Sequence, residues 1–430
     1  MVKMKIEDVA IKVLKKWVLC DHCLGRLFGQ ILSGLSNEER GKIIRYFIAF
    51  LLDSGEKIEV NPSNFYGIKF RNIEFETKEP EKCFICKNIF EKKETFAKKI
   101  KENLKGIEFD TFLIGSKIPE EILKAEEKVW EETGIEFVES IKSEINREIG
   151  KEVEKIIKKK FKMKNPDVTI IVDIEKEKVK VEIRSLYIFG GYKKFVRNIP
   201  QSKWICSKCK GKGCKYCKGK GKLYQTSVQE IIEKPLLKET KGKKSYMHAT
   251  GREDIDARCL DYRPFIIEIE KPIKRKIDLK RIEREINKSK KVKVKGLRFT
   301  TKEQIKILKS ARLDKTYLAL VEFEKSIDRK KLKELKNLTK EPILQKTPLR
   351  VLHRRADKYR KRSVKEISWR IIGRKKLMLK VKAEAGLYIK ELITGDEGRT
   401  KPSVQEILGN KVKKINLDVI KIHVKKLRFW

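Results

Sequence analysis

The chain has 430 residues, which at roughly 150 residues per domain allows two to four domains. Its 106 Lys and Arg stand against 61 Asp and Glu, 106 − 61 = +45, and 19 Phe, 11 Tyr and 5 Trp are enough to anchor several cores, so an acidic disordered chain is excluded. The longest apolar stretch, residues 43–52, is broken by Arg45 and falls far short of the ~20 residues a bilayer requires; with a charged opening at residues 1–4 and no signal core, this predicts a cytoplasmic protein without membrane association.

Along the chain, Ile6, Val9, Ala10, Val13, Leu14 and Trp17 recur at helical spacing and predict an amphipathic first helix. Residues 43–52 read as a buried helix, and residues 57–75 alternate as strands do. Residues 120–160 read as mostly helical with a break near Gly134, and 168–172 with 179–183 as a strand pair. A glycine-rich segment at 206–221 closes the first part, and a second part opens near Tyr224. There, strands are expected at 264–269, 292–299, 317–323 and 415–424, a hairpin at 367–372 and 377–381, and helices at 279–286, 330–338, 387–393 and 404–408. Strands at mixed intervals favour an α+β mixed sheet over a doubly wound one, and the division expected is 1–222 and 223–430. No G-x-G-x-x-G or Walker pattern occurs, so no organic cofactor is expected.

Eight of the nine cysteines form C-x-x-C pairs: Cys20/Cys23, Cys83/Cys86, Cys206/Cys209 and Cys214/Cys217. In an intracellular protein this spacing reads as metal binding rather than as a disulfide framework. Four thiolates leave no open position, so two structural Zn2+ sites are predicted, one local at 206–217 and one joining Cys20/Cys23 to Cys83/Cys86. His22, inside the first pair, is an alternative ligand. Glycines 211, 213, 219 and 221 supply the left-handed turns such knuckles need.

A charge of +45 spread over the chain calls for an anionic partner, and a nucleic acid held through its phosphates fits best. The basic run from His353, Arg354 and Arg355 to Tyr359–Arg362 suits such a partner. The four histidines do not cluster, which leaves carboxylates, a tyrosine and basic residues to carry any chemistry. One segment concentrates them: Gly251, Arg252, Glu253, Asp254, Ile255, Asp256, Ala257 and Arg258.

Gly251-Arg252-Glu253-Asp254 resembles the G-R-x-D motif of pseudouridine synthases, and residues 251–265 (GREDIDARCLDYRPF) resemble the archaeal family that makes pseudouridine at positions 54 and 55 of the tRNA T-loop. Residues 20–28 (CDHCLGRLF) are similar to that family's zinc segment, and residues 189–204 to the end of its THUMP-type RNA-binding domain. Residues 314–317 (DKTY) and 386–392 (GLYIKEL) resemble its second and third motifs.

The resemblance implies an N-terminal zinc-binding and THUMP-type region followed by a mixed-sheet catalytic domain. It implies Asp254 as the catalytic aspartate, Tyr317 stacking on the target base, Lys390 pairing with the aspartate, and Ile389 and Leu417 lining the uracil pocket. Arg252 would bind phosphate or pair with an acid, and Asp256 would pair with Arg252 or Arg258. The partner implied is the tRNA T-arm, with no obligatory protein partner. The alternatives are a non-catalytic, basic, zinc-containing RNA-binding protein and a THUMP-bearing methyltransferase or thiolation enzyme. The last two are disfavoured by the missing glycine-rich and P-loop motifs.

Overall fold

The computed structural model describes residues 5–134 and 136–427; the expected charged opening at 1–4 and the side chain of Arg354 lie outside the described residues. The chain divides into two compact units, Met1–Arg184 and Ser185–Trp430.

In the first unit the helix Ile6–Lys16 forms as its periodicity requires, burying Val9, Ala10, Val13 and Leu14. The next long helix, Asn37–Asp53, is fixed at its start by a capping box: the Ser36 hydroxyl accepts from Glu39 N at 3.1 Å, and the Glu39 carboxylate accepts from Ser36 N at 2.8 Å. It buries Ile48, Ala49 and Leu52 but leaves Ile43, Phe47 and Phe50 exposed, so it is one-faced rather than buried all round. Residues 57–75 form no strand. Their alternation is real, but Ile58, Val60, Ile68, Phe70 and Phe75 lie against the core, and the backbone turns through Pro62–Phe65 without a pairing partner.

The first unit's sheet comprises β1 (Thr111–Lys117), β2 (Lys160–Phe161), β3 (Val168–Asp173) and β4 (Lys178–Ile183), in the order β2-β1-β3-β4. β1 runs parallel to β2 and β3, and β3–β4 is the expected antiparallel hairpin. The helical stretch after β1 splits into Glu120–Thr133 and Ile141–Ile157 around Gly134, whose φ is 79°.

The second unit holds β5 (Leu186–Lys194), β6 (Lys244–Ala249), β7 (Arg258–Glu270), β8 (Val292–Thr300), β9 (Lys315–Phe323), β10 (Ile343–Lys346), β11 (Tyr359–Arg362), β12 (Val364–Gly373), β13 (Lys376–Ala383), β14 (Thr400–Lys401) and β15 (Val412–Ile422). One large mixed sheet has the order β12-β13-β9-β15-β7-β5-β8, with β6 also on β7; its one parallel pair is β15 with β7. Val228, Ile232 and Leu236 of the helix Val228–Thr240 and Ile282 and Ile286 of the helix Leu279–Ile286 close a core over β5, β7 and β8. A second core joins β9 and β13 to Leu387, Ile389, Leu392 and Val404. The segment expected as a helix at 330–338 is a 3-10 helix, Lys331–Thr339.

β5 changes the expected division. Residues 189–194 are not the tail of the first unit; they pair with β7 and β8 inside the second unit's sheet. Ile188 and Tyr192 are fully buried there, so hydrophobic burial ties this strand to residues 258–300.

Candidate active site

Residues 250–257 link β6 to β7 and carry the acidic segment. Gly251 adopts φ +75°, a left-handed conformation that disfavours side chains. The loop then sends alternate carboxylates in different directions. Glu253 turns inward and is fully buried, with its oxygens 3.0 Å from Arg263 Nε and 2.9 and 3.1 Å from the Tyr192 hydroxyl. Arg263 Nη1 donates to Thr250 O at 2.8 Å, and Gln201 Nε2 donates to Gly251 O at 3.0 Å. Lys194 Nζ, also buried, donates to the carbonyls of Asp254 and Ile255 at 3.1 and 3.2 Å and lies 3.9 Å from Glu253. Burial lowers the Lys194 pKa against the raising influence of Glu253. The loop is therefore clamped from beneath by buried groups of opposite charge, Glu253 against Arg263 and Lys194.

Asp254 points the other way, with 28% of its side chain exposed. Arg350 Nη1 donates to its Oδ1 at 2.8 Å, and Lys390 Nζ lies 3.5 Å from its Oδ2. Arg350 also holds Glu391 through Nε at 2.5 Å. Lys390 binds Asp256 more closely than Asp254, at 2.7 and 2.8 Å. Burial pushes the Asp256 carboxyl up, but the Lys390 hydrogen bond and charge outweigh it and hold the carboxyl below its usual range. The expected partners of Asp256 are engaged elsewhere: Arg258 is bidentate on Asp418, at 2.6 and 3.1 Å, and Arg252 reaches Ser202 Oγ at 3.3 Å.

Tyr317 lies on β9, and burial first, with the charge of Asp254 among the further causes, pushes its hydroxyl up to about 12. Its neighbour Lys315 is brought down to about 8 by burial and by Arg263. Ile389 opens the helix Ile389–Thr394 and Leu417 lies in β15; both are buried in the same apolar cluster. Arg197 ties the loop to that strand, donating to Asp256 O at 2.6 Å and to Leu417 O at 2.9 Å. Asp254, Asp256 and Lys390 thus meet at one site, with Tyr317 close enough for its hydroxyl to sense the Asp254 charge. Arg350, Arg263, Lys194 and Arg197 were given no role from the sequence, and Glu253 was named only as part of the acidic segment. They sit in a chain rich in basic residues, and no local spacing marks them.

Both cysteine sets assemble, each with its four sulfurs within 4.8 Å of one another. In the second set, separations of 3.8–3.9 Å between Cys206 and Cys214, Cys209 and Cys217, and Cys214 and Cys217 match the ~3.8 Å spacing of sulfurs on a tetrahedral ion bound at about 2.3 Å. Gly221 must be glycine, since a Cβ there would stand 2.3 Å from Gly211 O. Burial raises the Cys217 thiol, yet amides of Cys214 and Gly221 and the neighbouring sulfurs bring it down to about 6. The donor set therefore suits a metal ion. His22 is not a ligand: it hydrogen-bonds Glu144 at 2.8 Å and stacks on Phe90. No helix among the described residues is long and apolar enough to cross a membrane.

Two family models match the chain: "Pus10 THUMP domain, archaeal" over residues 96–173 and "Pus10, C-terminal" over residues 187–423. Curated relatives named tRNA pseudouridine synthase Pus10 match nearly end to end. The one from Methanocaldococcus jannaschii is 42% identical over 97% of this chain and 95% of its own, and that from Methanopyrus kandleri 40% over 95% and 96%. The one from Pyrococcus furiosus is 38% identical over 97% and 98%. Among solved structures, a Cbf5-Nop10-Gar1 complex aligns over 54% of this chain and 48% of its own at 16% identity, with a TM-score of 0.30, too slight a likeness to add to these matches.

Proposed function

The chain belongs to the Pus10 family of tRNA pseudouridine synthases, and from that premise we propose that it isomerises uridine at position 54, 55 or both of the tRNA T-loop with Asp254 as its catalytic group. The observation that carries the assignment is the carboxylate of Asp254. It is partly open to solvent, 2.8 Å from Arg350 and 3.5 Å from Lys390, on a loop whose backbone is clamped from below. Two cations orient it. Its ionised form is needed whether it attacks C1′ or takes the 2′ hydrogen of the sugar. The N1–C1′ bond breaks, the uracil turns, C5 bonds to C1′, the C5 hydrogen leaves to solvent and N1 gains a proton. No electrons enter or leave.

In this reading Tyr317 stacks on the displaced base, Ile389 and Leu417 line the uracil pocket, and Arg252 meets the backbone. Lys390 and Arg350 hold the carboxylate. Zn2+ fills both cysteine sets and serves the fold alone, since four thiolates leave no position for substrate. The substrate element is the T-arm, gripped by a surface of +45 charge.

The test is tritium release from 5-tritiated uridine in T-loop RNA under single turnover. Wild-type protein should release it, and Asp254→Asn, nearly isosteric, should lose several orders of magnitude in rate while keeping tRNA affinity. Measurable turnover by that variant would remove Asp254 from the role.

A further inference from the structure

The second cysteine knuckle carries more than a metal cage needs. Between Lys203 and Lys222 the chain has eight lysines and no acidic residue. Four thiolates and one divalent ion add −4 + 2, so the knuckle would keep 8 − 4 + 2 = +6 with its zinc in place. Among the described residues, Lys210, Lys212, Lys215, Lys218 and Lys220 make no ion pair; Lys203 and Lys222 are paired with Glu233 and Glu230.

Against this charge lies a cavity of about 540 Å3 bordered by Trp204, Tyr216, Tyr224, Lys218, Lys220 and Lys222. Trp204 and Tyr224 meet edge to face at 5.2 Å. Tyr216 is 57% exposed, with the Lys208 ammonium 4.6 Å from its ring. An exposed aromatic ring beside two half-buried ones, among unpaired ammonium groups, supplies the two ingredients of single-strand recognition: faces for bases and cations for phosphates.

We propose that this knuckle is an RNA-binding groove that takes an unpaired stretch of the tRNA substrate, with bases against Tyr216 and Trp204 and phosphates on Lys218 and Lys220. The groove lies beside the reaction site along the chain. Gln201 and Ser202 contact Gly251 and Arg252 of the catalytic loop at 3.0 and 3.3 Å, and Trp204 follows Ser202 by two residues, at most ~7 Å of backbone. A strand crossing the loop is led onto the groove. This rests on the tRNA reading above.

The experiment uses the full-length zinc-loaded protein, a tRNA transcript and a single-stranded oligouridine. Tyr216→Ala should weaken both RNAs about ten-fold. Lys218→Gln with Lys220→Gln should weaken tRNA binding and reduce the slope of log affinity against log salt by about 1.4, two single-strand contacts at about 0.7 each. Metal content and kcat at saturating tRNA should be unchanged and KM raised. Wild-type affinity and slope in both variants would overturn the groove and leave that face to an acidic protein. A wild-type chain that binds no tRNA would instead overturn the reading of function.

Discussion

Asp254 and Asp256 compete for one lysine. Lys390 stands closer to Asp256, and Arg350 supplies the nearer cation to Asp254. The carboxylate two residues past the motif therefore restrains the lysine that the motif borrows. Asp256→Asn removes that restraint without altering shape, and Lys390 can close on Asp254. Single-turnover rate for Asp256→Asn should stay within about ten-fold of wild type; a folded, tRNA-binding variant that is dead would reverse the roles of the two acids. Glu253 is a different case, since its oxygens meet a buried arginine and the Tyr192 hydroxyl. Glu253→Ala leaves Arg263 and Lys194 buried without their acid and should cost about 3–5 kcal/mol in urea unfolding. Asp254→Asn, at a half-buried position, should cost far less. Equal stabilities would contradict the clamp.

At the level of elements, the first 184 residues and β5 part company. A fragment starting at residue 223 lacks Leu186–Lys194, and with it a strand between β7 and β8 as well as Tyr192 and Lys194 beneath the catalytic loop. It should show no cooperative unfolding transition, whereas the fragment 185–430 should melt as a unit; equal behaviour of the two would refute this. The division expected at 222/223 differs from the two compact units because Gly190 and Gly191 and the adjacent lysines hide a strand that burial reveals. What was legible was local. The knuckle and the G-R-E-D turn are each set by residues within a dozen positions; the four cysteines of the knuckle come together as read, whereas Asp256 pairs with Lys390 rather than with Arg252 or Arg258. What was not legible spans the chain: Lys194 reaches across 60 residues to Asp254, Arg350 across 96, and Arg197 across 220 to Leu417. Periodicity carries no record of such pairs, and in residues 57–75 it marked side chains that face the core without any strand to join.

Across the whole molecule, each unit has its own cysteine cage: Cys20, Cys23, Cys83 and Cys86 in the first, Cys206, Cys209, Cys214 and Cys217 in the second. Elemental analysis of the intact chain should find two zinc ions, and the fragment 185–430 should carry one. One ion in the intact chain would show that a cage stays empty. The two units also differ in when they can form. The first unit's sheet is complete once residue 183 has been made. The second waits for β15, which is the last strand synthesised yet lies between β9 and β7, and which supplies Leu417 and Asp418 to Arg197 and Arg258. On the ribosome, the first unit can fold early, while the loop that carries Asp254 stays unassembled until translation is almost over. A ribosome that stops short of Val412 releases a chain that has Asp254, Tyr317 and Lys390 but lacks Leu417, with open sheet edges on β9 and β7 where β15 should lie.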